Sequence, residues 1–101
     1  METNISMTDF FKKYQNEKLN LIDVREVHEY QAGHAPGATN IPLSTLEQGY
    51  KELKSDQEYY IICQGGARSA SACSFLSAQG LKVTNVEGGM NHWPGEVESA
   101  Q

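Results

Sequence analysis

Four short segments with strand character, each followed by charged or turn-forming residues, constrain the fold of this chain most. They are LNLIDV (19–24), the brief TNI (39–41), EYYII (58–62) and KVTNV (82–86). LNLIDV, a short aliphatic run ended by charges, suits a buried strand. The segments between them have helical character. SMTD (6–9) reads as a capping box, in which Ser6 bonds an N3 amide and Asp9 reaches back. Met7, Phe10, Phe11 and Tyr14 then share one helical face. EVHEYQAGH (26–34) reads as a short helix stopped by Gly33, and STLE (44–47) as a second capping box before Leu46, Tyr50 and Leu53. ARSASACSFLSAQG (67–80) reads as a helix closed by Gly80, and MNHWPGEV as a short last element broken by Pro94. Strands alternating with helices predict an α/β domain with a mostly parallel sheet and right-handed crossovers. In such a sheet, ligands bind beyond the carboxyl ends of the strands.

A chain of 101 residues has room for one core. We expect a single domain over 1–101, with its core over about 6–95 and a flexible tail over 96–101. A net charge of −5 argues against a general nucleic-acid binder, which needs a basic face to neutralise phosphates. No segment approaches the ~20 apolar residues that span a bilayer, so no membrane partner is expected. METNISMTDFF lacks the basic and apolar regions of a secretion signal, which points to the cytoplasm. Two cysteines in a reducing compartment do not suit a structural disulfide, so they are either inert core residues or chemistry.

Cys63 stands where EYYII ends, at the carboxyl end of a strand, and begins CQGGARS (63–69). Gly65 and Gly66 lack Cβ atoms, so the backbone there can turn its amides inward. The first amides of the following helix have no intrahelical partner and lie at the positive end of its dipole. A sulfur ringed by such groups is stabilised as a thiolate. The residues alone leave a second reading open, a strand-ending turn with a buried, inert cysteine.

LIDVREVHEYQAGHAPGATNIPL, YYIICQGGARSASA and VEGGMNHWP, in that order from Asn20 to Pro94, resemble the successive motifs of single-domain rhodanese sulfurtransferases. The resemblance implies a rhodanese-like fold, a mostly parallel five-stranded sheet flanked by helices on both faces. Only four strands are evident above; the fifth is expected as a short segment near the N-terminus. It also implies that Cys63 takes sulfur from a donor such as thiosulfate or a persulfide, becomes a persulfide, and yields the outer sulfur to a thiophilic acceptor such as a thiol or cyanide. The amides of Gln64, Gly65, Gly66, Ala67, Arg68 and Ser69 would hold the anion. Arg68 would attract an anionic donor or pair with a carboxylate beside the loop. Asp23 and Arg25 would support the loop, and Glu29 belongs to the same block.

The alternative function is a sulfur carrier or relay, loaded by a protein such as a cysteine desulfurase and unloaded by another. Related cysteine phosphatases have one more residue between Cys and Arg than the four here, so sulfur transfer is favoured over phosphatase activity, and both over arsenate reduction. A rhodanese-like regulatory domain without activity commonly lacks the cysteine that is present here. Thiosulfate-selective members often carry basic residues just after the cysteine, where this chain has Gln64 and Gly65.

His28, His34 and His92 show no metal-ligand spacing with either cysteine, and no metal or cofactor is expected. His34 reads as part of a turn, His92 as a packing residue more than a base, and Trp93 as core. Gly88 and Gly89 could form a second backbone wall of the pocket. Cys73 lies over a helical turn from the loop, ~7 Å or more along the axis, too far to suit a resolving thiol. It is expected on the inner face with Ala72 and Leu76.

Overall fold

The computed structural model describes residues 2–99. Five parallel strands form one sheet in the order β1-β5-β4-β2-β3. They are β1 (Glu2–Ile5), β2 (Leu21–Asp23), β3 (Thr39–Asn40), β4 (Glu58–Ile62) and β5 (Lys82–Val86). Four helices, α1 (Met7–Asn16), α2 (Val27–Ala32), α3 (Leu46–Gly49) and α4 (Ala67–Ala78), connect them together with 3₁₀ turns. No helix among the described residues is long and apolar enough to cross a membrane.

The alternation along β4 divides the core. Tyr59, Ile61 and Cys63 face a cluster that includes Ile22, Val24, Leu46, Ala72, Cys73 and Leu76, under α3 and α4. Tyr60 and Ile62 face the opposite cluster, with Phe10 of α1, Leu21 and Val86, against which Tyr30 of α2 also packs. Helices therefore cover both faces, and the central strand reads as an unbroken apolar run for that reason. Cys73 lies on the inner face of α4, buried beside Ala72 and Leu76 as expected.

The fifth strand is at the N-terminus. ETNI carries one aliphatic residue because β1 is an edge strand with β5 as its neighbour, and Thr3 and Thr84 share a hydroxyl hydrogen bond of 2.7 Å across the pair. The N-cap of α1 forms as expected on one side, with the Asp9 amide donating to Ser6 Oγ at 3.1 Å.

The second capping box does not form. Ser44 sits in a 3₁₀ turn (Leu43–Thr45), and its hydroxyl donates instead to Glu26 Oε1 at 2.7 Å. Ser44 lies inside that 3₁₀ turn, and Thr45 rather than Ser44 precedes the α-helical turn, so the Ser44 oxygen is not placed to accept from an N3 amide. The expected helix is thus a 3₁₀ turn, one turn of α-helix and a second 3₁₀ turn (Tyr50–Glu52). Gly49 is packed so closely on Ile41 that a Cβ would overlap the isoleucine side chain. A capping box without serine or threonine is present at α2, where the Glu26 amide donates to Glu29 Oε1 at 3.0 Å.

The segment from residue 96 begins with structure. The Glu98 amide donates to the His34 carbonyl at 2.9 Å, and the His34 amide to the Glu98 carbonyl at 2.8 Å. Residues 100 and 101 of the expected tail lie outside the described residues.

Candidate active site

Cys63 follows β4 directly, and α4 begins four residues later at Ala67. The intervening turn closes at Gly66, whose φ of +104° is strained for any residue with a side chain. That conformation aims the Gly66 amide at the sulfur, and it donates to Cys63 Sγ at 3.0 Å. Ser69, in the first turn of α4, places its hydroxyl 3.3 Å from the same sulfur. As a thiol, Cys63 donates to Ser69 Oγ; as a thiolate, it accepts from it. Burial pushes the thiol up, but the Ser69 hydroxyl and the amides of Ser69, Gly66 and Gly65 more than offset this. The group lies below its ordinary value. Cys63 and Ser69 are both almost fully buried.

Ser69 has one hydroxyl proton and several acceptors. Besides the sulfur, Oγ lies 3.1 Å from the Gly66 carbonyl and makes a very short bond to Asn85 Oδ1 on β5. The Asn85 amide continues the chain to Asn4 Oδ1 at 3.2 Å. Sequence reasoning passed over Asn85. Its signal is the lone buried polar side chain in KVTNV, on the strand beside β4.

The second diglycine packs against the loop from outside. The Met90 amide donates to the Cys63 carbonyl at 2.8 Å, and the Asn91 amide to the Gln64 carbonyl at 2.9 Å. The approach is so close that a Cβ on Gly89 would overlap the Cys63 carbonyl oxygen. His92 is exposed, with its ring against Gly88. Trp93 is half-buried rather than central, set edge-on to Phe11 and Tyr14.

Asp23 and Arg25 form a buried pair at the end of β2, with Arg25 Nη2 donating to Asp23 Oδ2 at 2.9 Å. Arg25 Nη1 reaches Gln64 Oε1 at 3.1 Å, and Gln64 Nε2 donates to Asn91 Oδ1 at 2.6 Å. The Gln64 side chain is therefore a strut between β2 and the second diglycine. Of the two arrangements open to Arg68, the structure has the carboxylate pair. Nη1 and Nη2 donate to Glu29 Oε1 and Oε2 at 2.6 and 2.9 Å. The Arg68 hydrogen bonds, with the Glu26 amide, hold the Glu29 carboxyl down at about 2. Ala67 contributes no polar side-chain atom. His34 is buried, stacked on Tyr30, and its Nδ1 hydrogen-bonds the Tyr30 carbonyl at 2.8 Å. Among the described residues, no group of histidine, cysteine or carboxylate side chains is arranged to hold a metal ion.

The family model for the rhodanese-like domain matches residues 6–96. This chain belongs to the rhodanese-like family. A rhodanese-like domain protein from Staphylococcus aureus superposes on it with a TM-score of 0.90 at 33% identity, covering 98% of this chain and 99% of that one. Two Bacillus subtilis proteins are similar in sequence. YrkF, provisionally named a sulfur carrier protein, is 44% identical over 93% of this chain; the match spans about half, 52%, of YrkF. YtwF, provisionally named a sulfurtransferase, is 43% identical over 82% of this chain and 81% of its own length. The five-stranded parallel sheet flanked by helices is the rhodanese-like fold that the sequence motifs implied.

Proposed function

We propose that this protein is a sulfurtransferase that carries sulfane sulfur on Cys63. The thiolate attacks the sulfane sulfur of a donor such as thiosulfate or a persulfide. A Cys63–S–S⁻ persulfide forms, and the bond between that sulfur and the rest of the donor breaks, with its electron pair leaving as sulfite or a thiolate. A thiophilic acceptor then attacks the outer sulfur and restores the Cys63 thiolate. The observation that carries this reading is the sulfur's position at the end of β4, 3.0 Å from the Gly66 amide and 3.3 Å from the Ser69 hydroxyl. These groups stabilise an anion on sulfur without supplying a proton-transfer base, which is what a repeatedly loaded thiolate needs. Asp23 and Arg25 act through Gln64 as positioning residues for the loop.

A relay module loaded and unloaded by other proteins uses the same persulfide, and the likeness to the carrier-named YrkF favours it as the second reading. Intact-mass analysis after incubation with sulfane donors tests both. Cys63 is expected to gain one sulfur atom, removed by cyanide as thiocyanate or by a reducing thiol, and Cys63→Ser is expected to lose the adduct and the turnover. Full activity in Cys63→Ser would refute the assignment. Loading from small donors supports the enzyme, and loading only from a persulfidated protein supports the relay.

A further inference from the structure

The charged side chains around the loop are already committed to one another, and this bears on the donor. Arg68 is the one cationic side chain in the loop itself, and both of its terminal nitrogens are on Glu29. Arg25 is buried, with Nε near both Asp23 oxygens, at 3.1 and 3.2 Å. Its Nη2 also donates to the Gly33 carbonyl at 2.7 Å, and its Nη1 faces Gln64. Gln64 is tied at both ends of its amide, so it is not free to swing toward a ligand. A basic residue at position 64 would bring its charge against Arg25, which needs an acceptor there. Gly65, Gly66 and Ala67 have no polar side chains. Each of the two guanidinium groups of the site is thus paired with a carboxylate, Arg25 with Asp23 and Arg68 with Glu29, before the thiolate is counted.

We propose that Glu29 is a specificity-determining residue: by committing Arg68, it excludes small dianionic sulfane donors and reserves the loop for sulfur carried on a thiol, R–S–SH. The inference rests on the sulfur-transfer reading above and names its donor class. A protonated persulfide presents a neutral terminal sulfur to the thiolate. Cys63–S⁻ attacks that sulfur, the R–S bond to it breaks, R–S⁻ leaves with the electron pair, and the Cys63–S–SH so formed gives up its proton to R–S⁻ or to water, leaving Cys63–S–S⁻. Thiosulfate must instead bring two negative charges to a thiolate whose nearby cations are neutralised. The Arg68–Glu29 pair touches solvent, so that repulsion is strongest at low ionic strength and weakens as salt is added.

The test measures kcat/KM for thiosulfate and for cysteine persulfide generated in situ, using the full chain with cyanide as acceptor, alongside the Cys63 adduct by mass. Wild type is expected to prefer cysteine persulfide by about tenfold or more at low ionic strength. Glu29→Gln removes one negative charge and frees Arg68. It is expected to raise the thiosulfate-to-persulfide ratio by about tenfold, an effect that shrinks as salt is added. A role of Glu29 confined to the fold would lower both rates and leave the ratio where it was. An unchanged ratio in Glu29→Gln, or wild-type turnover of thiosulfate equal to that of cysteine persulfide, would overturn the inference. The wild-type comparison decides if the variant does not fold. Equal Cys63 adducts from both donors would sink the donor assignment alone, whereas no adduct from either would sink the sulfur-transfer reading with it.

Discussion

Ser69→Ala separates the hydroxyl from the backbone in the activation of Cys63. Alanine keeps the residue 69 amide and the first turn of α4, where it is a good helix former. It removes only the oxygen 3.3 Å from the sulfur. A hydrogen bond to a charged acceptor contributes about 1.5–3 kcal/mol, and one pKa unit corresponds to ~1.36 kcal/mol. Loss of the hydroxyl should therefore cost the thiolate stabilisation of that order and raise its pKa, leaving the backbone amides of the loop and of position 69 to hold the remainder. While Cys63 is a thiol and donates to Ser69 Oγ, the hydroxyl proton is free to go to Asn85 Oδ1, so in that state the same change leaves a buried acceptor unpaired and should lower stability by about 1–3 kcal/mol. The rate of alkylation of Cys63 against pH reads the first effect, and urea unfolding reads the second. A variant that is less stable but has an unchanged alkylation pKa would refute the reasoning. The hydroxyl would then be a strut between α4 and β5, and activation would belong to the backbone.

Gly66→Val forces a β-branched residue to φ +104°, a conformation that costs about 1–3 kcal/mol, although a Cβ has room at 3.4 Å from the Gly88 nitrogen. The loop should relax, the Gly66 amide should leave the sulfur, and the alkylation pKa should rise toward ~8.5; an unchanged pKa would exclude the backbone cradle. Cys73→Ser should lower stability, by about 1–3 kcal/mol if the buried hydroxyl finds no partner, with sulfur transfer nearly intact in a turnover assay. Lost turnover at unchanged stability would make Cys73 a resolving thiol. Glu29 is held at about 2, mainly by Arg68, below its unfolded value of ~4.3, so its contribution is present above ~4.3 and lost as pH falls through about 2. Both partners touch solvent, which limits that contribution to about 1 kcal/mol. Denaturant titrations should show wild type exceeding Glu29→Gln at pH 7 and converging with it near pH 2, and a constant gap would contradict the pairing.

The parts legible in the sequence were those encoded locally. β2 and β4 announce themselves as largely apolar runs because helices bury both faces of the sheet, and β5 by its β-branched Val83, Thr84 and Val86. The loop is legible because a positive φ at Gly66 demands glycine at that point in the chain. β1 was harder to read, since a polar edge strand gains its definition from pairing with β5, far away in sequence. Ser44 was misassigned for the same kind of reason. Its local motif favours a cap, but the chain winds as a 3₁₀ turn there, and the Ser44 hydroxyl is directed at Glu26, 18 residues distant.

The pairings of the site are more remote still. Arg68 meets Glu29, and Arg25 meets Gln64, each across 39 residues, and neither bond has a sequence signature beyond the presence of the two residue types. On the reading proposed above, these pairings decide the chemistry that the loop accepts. A free Arg68 would make the mouth an anion trap. Bound to Glu29, the same side chain leaves stabilisation of the sulfur to short-range donors, the Gly66 amide and the Ser69 hydroxyl. Such donors favour a charge located on the sulfur itself over a charge spread across an approaching donor, because their effect falls away within a few ångströms. The same commitment of charge explains why Cys63 can be activated in a chain of net charge −5 without a cationic pocket to mark it.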